Sequence, residues 1–218
     1  GWKDVNIAQE LSGRADVPVR VANDANLAAL GESWQGGGKG CRNLVLFTVG
    51  TGVGGGIICD GHIIAGASGG GGEVGHMPVP FHTDWQCGCG KQGCLEVTAS
   101  ATGIIRAARQ FSPFKEMDKI GAKDVYDAAA AGDENAQAVV KEAATALGYA
   151  AASVSCVVNP EIILLGGGVS AAGSALLGPV EAAFKANVLE ACSDVRFALA
   201  QLGNNAGIYG GAALFFAE

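Results

Sequence analysis

The 218 residues are 49% hydrophobic, 16% charged and 6% aromatic, a composition that can bury a core without disulfides and excludes a disordered, highly charged chain. The formal net charge is −7 and the 14 Lys and Arg residues are scattered without a basic run, so nucleic acid is not an expected partner of this segment. No apolar run reaches the roughly 18 residues of a membrane-spanning helix, and no membrane partner is expected.

In chain order, Val17 to Ala22 (VPVRVA) reads as a short strand ended by Asn23 and Asp24, and Ala25 to Trp34 has helical composition. NDAN therefore falls on a strand-to-helix turn. Asn43 to Val49 (NLVLFTV) and Gly55 to Cys59 (GGIIC) read as strands with Gly50 to Gly54 as a tight loop between them. Asp60-Gly61 is a hairpin-type turn, and His62 to Ala65 a third short strand. Ala67 to Gln92 is rich in Gly, Pro, His and Cys and has little periodicity, which predicts a long surface loop of the kind that carries a function or a metal.

Helices are expected at Ala99 to Gln110, Ala122 to Ala131 and Glu134 to Val158. In the last, Val139, Ala143, Leu147, Ala150, Val154 and Val158 form the stripe of a helix packed on a sheet. Asn159-Pro160 ends it. Glu161 to Leu165 (EIILL) reads as a buried strand, followed by Gly166 to Gly168, a helix near Ala175 to Ala191, a strand at Val195 to Ala200 and a helix at Ala206 to Phe216. The alternation predicts an α/β fold with a mixed sheet flanked by helices.

Four groups of residues carry candidate chemistry. His76 with Cys87, Cys89 and Cys94 matches the Cys3His donor set of a tetrahedral structural zinc site, closed to water and therefore architectural. The alternatives are a loop of reduced cysteines or a redox pair, although Cys87 and Cys89 are separated by one residue where a thioredoxin-type pair has two. His82 competes with His76 as the fourth ligand. The seven cysteines, three of them within eight residues, argue against a disulfide framework and for a reducing compartment, so a cytoplasmic location is expected. Cys41, Cys59, Cys156 and Cys192 read as packing residues.

The second group, Gly50-Thr51-Gly52-Val53-Gly54-Gly55-Gly56, offers backbone N–H groups and a hydroxyl to a phosphate. It is equally readable as a glycine-rich hairpin, and it is neither a P-loop nor a Rossmann fingerprint. The third, Gly166-Gly167-Gly168, follows a buried strand, where α/β sheets commonly bind nucleotides. The fourth, Asn23-Asp24, is either a helix N-cap or, beside a phosphate loop, a site for a general base.

Together NDAN with AALGE, TVGTGVGGGII, GEVGH, CGCGKQGCLE, NPEIILLGGGVS and LGNNAGIYGGA resemble the ROK family of bacterial sugar kinases and sugar-responsive repressors, over about Pro18 to Ala213. The resemblance implies an actin-like ATPase, sugar-kinase (ribonuclease H-like) fold with two α/β lobes around a cleft. It also implies ATP-dependent transfer of a phosphoryl group to the 6-hydroxyl of a hexose, as in a glucokinase. It assigns Asp24 as catalytic base and Asn23, Asp24, Glu73, His76 and Glu96 as sugar contacts. Gly50, Thr51 and Gly52 fall to the phosphates, and Gly166, Gly167 and Gly168 to the adenosine side. Zinc would sit on His76, Cys87, Cys89 and Cys94, Mg2+ would accompany ATP, and a homodimer is expected.

Two departures follow. Gly69 to Gly72 is richer in glycine than the family's usual segment before GExGH. No Asp-x-Gly-Gly-Thr phosphate segment occurs in the chain. The reading is therefore of a chain truncated at its N-terminus. Residues 1–32 would be a remnant of an N-terminal lobe of roughly 100 residues carrying NDAN, 33–205 the C-terminal lobe, and 206–218 a helix packing back on the missing lobe, the fragment itself being inactive. The alternative parent is a sugar-sensing repressor whose DNA-binding region lies outside this chain.

Overall fold

The computed structural model describes residues 5–216; residues 1–4 and 217–218, the outer ends of the first and last expected units, lie outside the described residues. Helices α1 (Ile7–Ala15) and α2 (Asp24–Gln35) precede strands β1 (Leu44–Val49), β2 (Val53–Cys59) and β3 (His62–Ile63). Then come α3 (Leu95–Ala99), α4 (Ala101–Ala108), α5 (Ala122–Ala130), α6 (Glu134–Val158), β4 (Ile162–Gly166), α7 (Ser174–Asn187), β5 (Arg196–Leu199) and α8 (Ala206–Phe216). The sheet order is β3-β2-β1-β4-β5. β1 pairs antiparallel with β2 and parallel with β4, while β2–β3 is antiparallel and β4–β5 parallel.

Period-two alternation explains why the central strands are apolar throughout: both faces of the sheet are covered. Val45, Phe47, Val49, Val53, Ile57, Ile163 and Leu165 meet the α6 stripe of Val139, Ala143, Leu147, Ala150 and Val154, with Val180 and Phe184 of α7. Leu44, Leu46, Ile58, Ile162 and Leu164 pack on the opposite side against Ala29 and Leu30 of α2 and Ala213 of α8.

The expected C-terminal helix, α8, lies on α2, and α2 runs through the boundary expected after residue 32. Their backbones touch: a Cβ on Gly210 would lie 1.8 Å from the Leu27 carbonyl oxygen, and one on Gly31 2.2 Å from that of Ala206. Nothing larger than hydrogen fits without parting the helices. Gly210→Val is expected to destabilise the fold by about 3 kcal/mol and lower the melting temperature by roughly 6–12 °C; an unchanged thermal melt would remove the close crossing as a source of stability.

Several expected elements differ. Residues 18–23 have no regular structure, and Val17 and Val21 are 54% and 57% exposed. The segment is β-prone, but no described strand lies beside it to complete a ladder. β2 begins at Val53 because Val49↔Val53 and Thr48↔Gly54 pair, which shortens the expected 50–54 loop to three residues. The strand expected at 62–65 keeps only His62 and Ile63. The helix expected at 99–110 divides at Ser100, whose backbone is extended and whose hydroxyl accepts the Gly103 N–H at 3.0 Å to start α4. α7 ends at Asn187 rather than near 191.

Candidate functional site

α2 starts where it does because Asn23 caps it, the Asn23 Oδ1 accepting the N–H groups of Ala25 and Asn26 at 2.9 and 3.1 Å. This answers whether Asp24 is only a cap: the capping role falls to its neighbour. Asp24 is the first helical residue and exposed. Its Oδ1 accepts the Ala25 N–H at 2.9 Å, and its Oδ2 has no protein partner among the described residues.

Asp24 lines a cavity of about 500 Å³ together with Glu73, His76, Glu96, Gly50, Gly52 and Gly167, and with Thr48 of β1. Five segments of the sequence thus meet at one end of the sheet, where β1 and the parallel β4 both finish. Asn23 and Thr51 are not in this lining. Thr51 instead lines a neighbouring cavity of about 350 Å³ with Gln86, Cys87, Ser100 and Arg106.

The glycine loop is tied down from α3 and α4. The Gly50 carbonyl accepts the Ala101 N–H at 2.8 Å, the Thr51 carbonyl accepts the Thr102 hydroxyl at 2.8 Å, and Glu96 Oε2 accepts the Val53 N–H at 3.1 Å.

A second cavity of about 250 Å³ adjoins the first across Ala28, Thr48 and Gly167. It is lined by Gly166, Gly167, Gly168 and Ser170 and by Gly203 and Asn204. Gly167 has φ +83°, and a Cβ there would fall 2.4 Å from the Val49 carbonyl oxygen. A side chain is excluded on both counts.

The ligand atoms of His76, Cys87, Cys89 and Cys94 all lie within 4.8 Å of one another. Cys87 Sγ is 3.6 Å from His76 Nδ1, and the Cys89 and Cys94 sulfurs are 3.7 Å apart. Burial, then the hydrogen bonds that its S–H donates to the neighbouring sulfurs, push the Cys94 thiol up to about 12. Burial also raises Cys87, while the Lys91 backbone N–H lowers the exposed Cys89. Three thiol sulfurs and an imidazole nitrogen this close together form a donor set that suits a tetrahedral divalent metal.

His82 is not in the cluster. Its ring stacks on Trp85 at 3.6 Å between centroids and pairs with Glu142. Trp85, with Cys87, Cys94 and Val97, gives the loop a small core of its own, covered by the Arg106 guanidinium 4.1 Å from the indole. Glu96 bridges the loop to the cavity, its Oε1 3.7 Å from Cys87 Sγ.

Sequence reasoning missed Thr48, which lines both cavities; its signal was a lone hydroxyl in the apolar run LVLFTV. It also gave no role to Glu32, Gly203 and Asn204, although AALGE and LGNNAGIYGGA contain them.

The ROK family profile matches residues 1–218. The chain is 47% identical over 222 residues to a glucokinase of Halalkalibacterium halodurans, covering 97% of this chain and 67% of that protein. It is 31% identical over 185 residues to a xylose repressor of Caldicellulosiruptor bescii, covering 81% of this chain and 46% of that one. In structure it is similar to a ROK family glucokinase from Streptomyces griseus solved with glucose and AMPPNP. That match has a TM-score of 0.84 at 34% identity and covers 98% of this chain and 73% of the other.

Proposed function

The chain belongs to the ROK family and has the mixed α/β architecture of its actin-like sugar kinases, and from that premise we propose that it serves ATP-dependent phosphorylation of a hexose at the 6-hydroxyl, as a glucokinase does. The observation that carries the proposal is the 500 Å³ cavity in which Asp24 faces Glu73, His76 and Glu96 beside the glycine loop.

A sugar hydroxyl is a weak nucleophile, and a carboxylate placed beside it can take its proton as the phosphoryl group arrives. Asp24, with one oxygen held by the helix start and the other unpartnered, suits that role. Glu73, His76 and Glu96 offer acceptors and a ring nitrogen to the remaining hydroxyls; Asn23 lies outside that lining with its Oδ1 used by the α2 cap, so a sugar contact from it would come from its amide N–H groups alone. In this reading Gly50, Thr51 and Gly52 meet the transferring phosphate, through the Thr51 and Gly52 N–H groups since the Gly50 N–H donates to the Gly52 carbonyl at 2.9 Å, and Gly166 to Gly168 meet the nucleotide. Mg2+ accompanying ATP would neutralise charge on the phosphates.

Zinc on His76, Cys87, Cys89 and Cys94 would supply structure rather than reaction chemistry, holding the loop that carries Glu73 and His76 against the start of α3, where Glu96 lies. A homodimer belongs to the same proposal.

The test is ADP release by the natural gene product with Mg-ATP and, separately, glucose, mannose, fructose, N-acetylglucosamine and N-acetylmannosamine. Glucose is expected to support turnover at the highest kcat/KM. Sugar binding without ADP release from any of the five would favour a regulator instead. Kinship with the xylose repressor is the observation behind that second reading, whereas a sensor has no use for a base beside a phosphate loop.

A further inference from the structure

Glu32 is fully buried, at 0% exposure, near the C-terminal end of α2. A carboxylate out of water needs its lone pairs filled, and among the described residues no cationic side chain pairs with it. Backbone N–H groups fill them: Gly37 donates to Oε2 at 2.8 Å, Gln201 to Oε1 and Oε2 at 2.9 and 3.0 Å, and Leu202 to Oε1 at 2.7 Å.

The loop so gripped leads directly into Gly203 and Asn204, which line the 250 Å³ cavity together with Gly166 to Gly168. Glu32 shares that lining, yet its lack of exposure means it acts through the backbone it holds. We infer that Glu32 is a positioning residue for the nucleotide, setting the 201–204 loop at the distance from Gly166 to Gly168 that the nucleotide requires. The inference rests on the kinase reading above, in which this cavity is the nucleotide end.

An acceptor-only group is what this arrangement needs. Glu32→Gln keeps the shape and one acceptor but turns an N–H donor toward other N–H donors. Leu202→Pro tests the same contact from the other side. It removes the 2.7 Å donor at a residue whose φ of −83° is close to what proline adopts.

The experiment is calorimetric binding of Mg-AMPPNP and of glucose to the natural gene product and to both variants. In each variant the AMPPNP Kd is expected to rise at least about tenfold while the glucose Kd stays within about twofold; in turnover the KM for ATP should rise more than kcat falls. A merely structural role would weaken both ligands together or lower only the melting temperature, and either result overturns the inference. So does an AMPPNP Kd that stays unchanged in the folded variants. If Glu32→Gln does not fold, Leu202→Pro decides. Failure of the unaltered protein to bind Mg-AMPPNP would sink the kinase reading and this inference with it, whereas binding equal in protein and variants sinks the inference alone.

Discussion

Asp24→Asn is expected to lower kcat about 1,000-fold while the glucose Kd changes by less than about threefold. The substitution preserves size and can still accept the Ala25 N–H at the helix start, and Asn23 caps α2 regardless, so the helix and cavity wall should persist. What disappears is a group able to take a proton from the attacking hydroxyl. Turnover by the natural gene product and calorimetric glucose binding separate the two effects. Retained kcat would remove Asp24 from the chemistry. Lost glucose binding would make it a substrate contact in the first place. A loss of both together with a lower melting temperature would point to folding.

The second large effect concerns the metal loop. Zinc analysis of the purified protein is expected to give about one ion per chain, and Cys94→Ser to leave almost none, with the glucose KM rising at least about tenfold. Cys94 is 2% exposed and precedes α3 directly. Glu96, two residues on, accepts the Val53 N–H of the glycine loop. The route from metal to cavity is therefore short: loosening Cys94 loosens Glu96, and through it the start of β2. Exhaustive chelation should reproduce the defect and added zinc reverse it. A wild-type protein that carries no zinc when purified without chelator, or a Cys94→Ser protein that keeps it, would refute the assignment.

Much of this molecule could be read from its residues because the relevant signals are local. The stripe from Val139 to Val158 runs along most of the 25-residue α6, whose ends are marked by Asp133 and Asn159, so the helix lies where periodicity puts it. The apolar runs of β1 and β4 are buried on both faces and have no competing reading. The family was legible from short motifs, and the Cys and His side chains do converge. What escaped is non-local. Val17 to Ala22 has strand composition without a strand beside it. Glu32 looks like an ordinary helix-end glutamate, because all its partners but Gly37 come 169 and 170 residues later. Nothing near Thr48 in sequence shows that β1 ends between two cavities. The choice between Asn23 and Asp24 as cap depended on side-chain direction, which composition does not carry.

One helix bears both Asp24, at the proposed sugar end, and Glu32, at the proposed nucleotide end. Their separation is eight residues, about 12 Å of helical rise, so α2 works as a ruler between the two cavities. Substitutions along it can alter packing but not that spacing, whereas inserting or deleting one residue between them would swing one carboxylate by roughly 100° relative to the other. Length is thus the property of this helix that drift can least alter.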